Sequence, residues 1–296
     1  MAIIPYDIPY SLNLFASVVG VLFNFVVFAV LFEFKIGSLV SNVLLRNQSL
    51  FAGCACLFVF ISHLTNKQFY TNITILDMII CQVTSSNNLF WLAQILYVHN
   101  LICMTFDRLL AVLCPIWYRN AQQKLIGTLF VYLTFMVLIL YPPLICKRGL
   151  VSGVCDRKYK WPGTWIQLVL DNYSYIWAIL IYFVPIVLLF STHIFIFCKL
   201  RKSSGKLLNV AVKGYKRSSN VQLNRLLLTT VSLTLLYTIC YSLNTLYFLF
   251  APSKEAIIFE VGTMFIVICS CLNPCAMICM NLALKRHLKS RLLKSP

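Results

Sequence analysis

Asp107 and Arg108 stand side by side at the end of a long apolar run, in "MTFDRLLAVLCPIWY" (residues 104–118). A carboxylate and a guanidinium can neutralise one another while the guanidinium fork keeps donors for a second partner. Charges at the edge of an apolar layer are costly and usually paired. The plainer reading is an arginine that snorkels to mark that edge. Other reactive types point away from catalysis. The four histidines (63, 99, 193 and 287) lie far apart, and no Cys or His cluster has zinc-like spacing, so no resident metal is expected. No Gly-rich phosphate loop or nucleophile elbow occurs, no run carries a buried acid relay, and neither an enzyme nor a cofactor is expected.

The elements that hold this pair follow from composition. The 296 residues are 60% hydrophobic and 11% charged. Soluble domains are roughly 45–50% apolar and about 25% charged, so the solvent is a bilayer. Seven runs are long enough to span one: 11–33, 42–63, 79–107, 126–146, 174–198, 226–250 and 257–280. Lipid offers the backbone no hydrogen bonds, so each run must be helical. The expected fold is all-α: one seven-helix membrane domain over residues 1–296, with short loops and no repeat. The first ten residues hold Asp7 and no Lys or Arg, so the first run is expected to act as its own insertion signal.

Lysine and arginine orient the bundle. With the N-terminus outside, 18 of the 25 bases are cytosolic, eight of them between Lys199 and Arg225 and five between Lys285 and Lys294. Six of the eight acids are outside; Glu33 and Asp107 are the exceptions. The net charge of +17 is thus mainly a cytosolic face, suited to anionic lipid rather than nucleic acid. Most of the 13 cysteines lie inside runs, where a thiol is a small apolar group. On the oxidising outer side Cys81 can bridge to Cys155. Cys146 is the rival partner, and spacing does not choose between them. Asn72-Ile73-Thr74 is an outer glycosylation sequon; Asn172 opens a second close to the membrane, and Asn47 a third inside a span. "NLALKRHLKSRLLK" (residues 281–294) sets Leu282, Leu288 and Leu292 against bases, as an amphipathic helix on the inner leaflet. "RKSSGK" and "KRSSN" place serines after bases, where phosphorylation would trim positive charge.

Asp107-Arg108-Leu109, Val112, Pro115 and Tyr118 together resemble the inner end of the third helix in rhodopsin-like G-protein-coupled receptors. There Asp-Arg-Tyr is followed by a Val, a Pro, and a Tyr three residues after the Pro. The resemblance runs along nearly the whole chain. Asn24-Phe25-Val26-Val27 is similar to that family's Asn-x-x-Val, and an Asn in lipid can pin a neighbouring helix. Tyr182-Phe183-Val184-Pro185 is similar to its aromatic-x-x-Pro, where Pro185 permits a kink. Asn273-Pro274-Cys275-Ala276-Met277 is similar to its Asn-Pro-x-x-Tyr, with Met277 in the Tyr position. Departures accompany these. Ala52 stands where the family has an Asp that helps bind sodium. Cys240-Tyr241-Ser242-Leu243 lacks the Pro of the sixth helix and makes Tyr241 the aromatic toggle. The fourth span lacks its Trp but keeps Pro142-Pro143. "LLRNQSLF" resembles flatworm-specific orphan receptors, with nematode chemoreceptors as the alternative.

The resemblance implies a plasma-membrane receptor that binds an extracellular ligand and activates a heterotrimeric G protein through Asp107, Arg108, Pro115 and Tyr118. Asn24, Pro185, Tyr241, Asn273, Pro274 and Met277 would serve the conformational change. The seventh run has no lysine for a retinal Schiff base, and Phe90 and Trp91 occupy the level of the amine-binding Asp, so opsin and amine readings are disfavoured. Asn87, Phe90, Trp91 and Gln94 recur at helical spacing in the third run, Tyr241, Asn244 and Tyr247 in the sixth, Glu260 and Thr263 in the seventh. They are the expected ligand contacts, for a small organic molecule or a peptide terminus; plain interhelical packing is the alternative. Two other classes stay open: a transporter or channel subunit with Asn24, Asn47, Asn87 and Asn273 along its path, and a receptor-like scaffold that no longer signals.

Overall fold

The computed structural model describes residues 7–34, 37–64, 73–84, 87–146, 149–151, 154–156, 164–207, 215–250, 256–280 and 284–287. Ten helices carry the described chain: α1 (Asp7–Glu33), α2 (Leu39–Leu64), α3 (Thr74–Thr84), α4 (Asn88–Leu113), α5 (Pro115–Asn120), α6 (Gln122–Cys146), α7 (Thr164–Ala178), α8 (Val184–Leu207), α9 (Tyr215–Phe250) and α10 (Ala256–Met280). A π-helical turn, Ile179–Phe183, joins α7 to α8. A small hairpin pairs β1 (Gly149–Val151) antiparallel with β2 (Val154–Asp156). Seven helical stretches are long and apolar enough to cross a bilayer, from Tyr10–Glu33 to Glu260–Cys279. The chain is a multi-pass membrane protein built as an all-α bundle.

Side chains are distributed as lipid demands. Phe130, Val131, Phe135 and Leu138 of α6 are exposed, whereas Asn24, Gln94, Asn100 and Asn273 are fully buried. Polar groups turn inward because only neighbouring helices can satisfy them. The chain reverses tightly between α1 and α2 through Gly37, whose φ of +77° lies in the left-handed region that favours glycine. Arg46 of α2 then closes the end of α1. Its Nε donates to the Leu31 carbonyl at 2.8 Å and its Nη2 to that of Phe32 at 3.2 Å, with the guanidinium 4.2 Å from the Phe32 ring centroid. Terminal carbonyls lack intrahelical donors and carry the negative end of the helix dipole, so a guanidinium is well placed there.

Several expected boundaries move. The run 79–107 is not one helix: α3 ends at Thr84, and Asn87 takes φ +59° before α4 begins. No helix passes through a left-handed residue, and Asn tolerates that conformation. Cys81 thus belongs to a separate short helix. The basic segment 199–225 is largely helical, since α8 continues to Leu207 and α9 starts at Tyr215. Without a proline α9 runs unbroken for 36 residues, about 54 Å at 1.5 Å per residue and well beyond a bilayer core of about 30 Å. Of the expected amphipathic helix, residues 284–287 are described and helical; Leu284 is buried, Lys285 and Arg286 are exposed, and the His287 ring stacks on Phe34. The rest of that segment lies outside the described residues.

Candidate functional site

At the end of the bundle where α1 meets α2, Asp107 is the hub. It is buried in the last turns of α4 and accepts hydrogen bonds from Ser41 Oγ of α2 at 2.9 Å and from the Tyr118 hydroxyl of α5 at 2.5 Å. Ser38 Oγ sits 2.7 Å from Ser41 Oγ and 2.5 Å from the Tyr118 oxygen. Gln122 completes the frame, donating to the Tyr118 carbonyl and accepting from the Val40 amide. Pro115 opens α5 at its first position, where a missing N–H costs nothing; its ring is exposed and meets none of the partners named here. Burial, reinforced by the Asp107 carboxylate, pushes the Tyr118 phenol above its ordinary range, so it acts as a neutral donor.

Arg108 is as buried as its neighbour, 3% exposed against 3% for Asp107. Its Nη2 lies 3.1 Å from Asp107 Oδ2, close enough for an ion pair. The contact is off-line, however, and neither Nε nor Nη2 makes a hydrogen bond among the described residues. Asp107 is therefore held from three sides and Arg108 from one. A buried guanidinium with unused donors gains when another acceptor arrives.

Midway along the bundle, Asn24 Nδ2 of α1 donates to the carbonyls of Gly20 and Ser270, both at 2.8 Å. Asn273 Nδ2 donates to Asn24 Oδ1 at 3.1 Å and reaches Met277 Sδ at 3.6 Å, which also takes the Ser49 hydroxyl at 3.4 Å. Three of the expected activation residues thus meet, Asn24, Asn273 and Met277; Pro274 follows Ser270 by four residues in α10. Ala52 is fully buried. The polar pair below it is Asn100 of α4 with Gln48 of α2, at 2.7 Å. Pro185 stands just past the π-helical turn, and the Tyr237 hydroxyl of α9 donates to the Ile181 carbonyl.

Toward the opposite end, Gln94 of α4 accepts from the Tyr241 hydroxyl and donates to Ser270 Oγ at 3.4 Å. Phe90 meets Trp91, and Trp91 meets Trp177 edge-on at 5.4 Å between centroids. Tyr173 continues the aromatic row to Trp177. Asn244 is buried with Oδ1 unpaired, in space that Gly262 leaves open. Thr263 is buried, and Asn87 sits at the break before α4. Glu260 departs from this group. It takes the Asn13 amide at 3.3 Å and lies 3.9 Å from His63 Nε2, so it faces α1 and α2 rather than Gln94 and Tyr241. The Tyr247 side chain and Asn72 lie outside the described residues. Cys81 is disulfide-bonded, Cys146 is not in a disulfide, and the Cys155 side chain lies outside the described residues.

Several participants carried no motif. Ser41, Gln48 and Asn100 are polar residues within apolar stretches, which is itself a signal in a membrane chain. Ser270 carries the same signal, whereas Trp177 carries none. No protein-family model and no curated protein matches the chain.

Proposed function

We propose that the chain is a rhodopsin-like receptor of the plasma membrane, with its N-terminus outside, that binds an extracellular organic ligand or peptide terminus and activates a heterotrimeric G protein. The state of Arg108 carries this reading: buried, paired to one neighbour off-line, with two donor atoms unused. On this reading the Asp107 end is cytosolic, and an inserted partner segment supplies the missing acceptors. Ligand favours the arrangement in which that happens, and moves the equilibrium by its difference in affinity. The moving element is α9, which is tied to the fifth span by His193–Thr234 at 3.1 Å and by Tyr237–Ile181. Cys155 is the partner we assign to Cys81, since Cys146 is not in a disulfide.

A solute path is less well supported. Asn24 and Asn273 spend their amides on interhelical bonds, which is what packing requires and a path does not. The deciding experiment is nucleotide exchange on a panel of G proteins in membranes expressing the chain. Exchange that Arg108→Ala abolishes at equal surface level supports coupling. Exchange that survives the substitution, or solute flux without exchange, counts against it. Surface protein with neither activity points to a silent scaffold.

A further inference from the structure

At the end of the bundle opposite Asp107, three spans bring together polar groups that the receptor reading leaves unused. His63 is in the last turn of α2, Asn13 near the start of α1 and Glu260 near the start of α10. His63 Nδ1 lies 2.9 Å from the Val59 carbonyl, which can only accept, so Nδ1 holds the proton and Nε2 of the neutral ring presents a lone pair. That Nε2 is buried and makes no hydrogen bond among the described residues, yet it faces Glu260 Oε2 at 3.9 Å. Asn13 is fully buried with Oδ1 unpaired, and its amide contacts to Glu260 are long, both 3.3 Å. The His63 lone pair and the Glu260 carboxylate face one another with no donor between them, and the Asn13 amide lies against the carboxylate through its nitrogen.

We infer that this cluster is a site for a zinc-class divalent ion, with His63 Nε2 and Glu260 Oε2 as ligands. Ions of this class accept imidazole nitrogen with carboxylate oxygen, whereas Ca²⁺ and Mg²⁺ prefer oxygen alone. Two ligands of a tetrahedral ion with bonds of about 2.1 Å stand roughly 3.4 Å apart. The pair therefore needs to close by about half an ångström. The support around it is what a ligating histidine uses: a backbone carbonyl fixes the tautomer and orientation from the far side of the ring. Tyr10 adds to this, donating to the His63 carbonyl at 2.9 Å with its ring 4.8 Å from the imidazole. A half-turn of the Asn13 amide brings Oδ1 to the position its nitrogen now holds beside Glu260. Water fills the remaining position from outside, because the Glu260 side chain is 20% exposed. A bound ion would clip α2 to α10, and so bias any motion between them.

The test uses the full chain in lipid nanodiscs, with Zn²⁺ measured by chelator competition and Co²⁺ as the spectroscopic probe. One ion per chain is expected, with cobalt absorption lacking sulfur-to-cobalt charge transfer, and a melting temperature that rises with Zn²⁺. His63→Gln and Glu260→Gln should each weaken binding by more than the roughly 10–100-fold cost of losing an outer-shell partner, and should remove the melting shift. Absence of saturable binding overturns the proposal. So does charge-transfer absorption indifferent to both substitutions, which places the metal on exposed thiols such as Cys275 and Cys279. Melting that follows pH alone, unmoved by metal, also overturns it and leaves a proton in the gap. None of these readouts involves a G protein, so the outcome is independent of the coupling proposal.

Discussion

Asn24 donates its side-chain amide to the Ser270 carbonyl at 2.8 Å, and Ser270 stands four residues before Pro274. In an α-helix that carbonyl would accept from the residue at 274, but proline has no N–H. The amide from α1 replaces the missing donor. The same device recurs in the fifth span. Ile181 lies four residues before Pro185, and its carbonyl receives the Tyr237 hydroxyl from α9. Each proline frees an acceptor in one span, and a neighbouring span fills it. The prolines thereby fix which helices must touch.

A mutant cycle checks this. Asn24→Ala strands a buried carbonyl and should cost about 1–3 kcal/mol. Pro274→Ala restores the backbone donor, so the double mutant should lose clearly less than the sum of the two single losses. The measurement is thermal unfolding in one detergent. Strictly additive losses would show that Asn24 contributes by packing alone.

The Asp107 frame yields a second expectation. Ser41 and Tyr118 both donate to the carboxylate that holds Arg108. Tyr118→Phe removes one donor and leaves the ring in place. The carboxylate is then less well satisfied, and the two-state balance shifts. Ligand-independent nucleotide exchange should change in Tyr118→Phe, and change further with Ser41→Ala added. Basal exchange identical to wild type in the double mutant would remove the frame from the mechanism.

How far the sequence reached can be judged from the same residues. The seven spans were legible because apolar length is a direct consequence of bilayer thickness. Asn24, Asn273 and Asp107 stood out because polar groups in lipid must be paired. The bonding targets did not stand out. Toward Asn24 and Tyr237, Ser270 and Ile181 act through their backbone carbonyls, and every residue has a carbonyl. The break at Asn87 was hidden because hydropathy is indifferent to φ, and only the left-handed turn ends the helix. Glu260 lies near the start of α10. Which way it faced depended on the rotation of α10, which periodicity alone leaves open. His63 went unassigned because its partner is far away in sequence.

Between the aromatic row and the middle of the bundle, Tyr241 and Ser270 both bond Gln94. Tyr241→Phe takes away the hydroxyl and leaves the buried Gln94 oxygen without a donor. That should cost about 1–3 kcal/mol of stability, against little change for an exposed control such as Leu243→Ala. If the row is the ligand site, potency of an identified agonist should fall in parallel. A stability loss with unchanged potency would confine Tyr241 to packing.

The tight approach of α1 to α2 and α10 at Gly20 gives the last expectation. A methyl added at Gly20 of α1 would sit 2.4 Å from Cys56 Sγ and 3.5 Å from the Cys271 backbone of α10. Both helices come this near because Gly20 has no side chain. Gly20→Ala therefore forces a shift in a packed core, and overpacking of this kind costs about 1–3 kcal/mol. Cys56→Ala removes the sulfur that the methyl would meet. Alone it opens a small void; combined with Gly20→Ala it should recover most of the loss, because the new methyl occupies the vacated space. Unfolding of the two single mutants and the double mutant measures the coupling. A double mutant no more stable than Gly20→Ala would mean that the α10 backbone, rather than Cys56, sets the limit on α1.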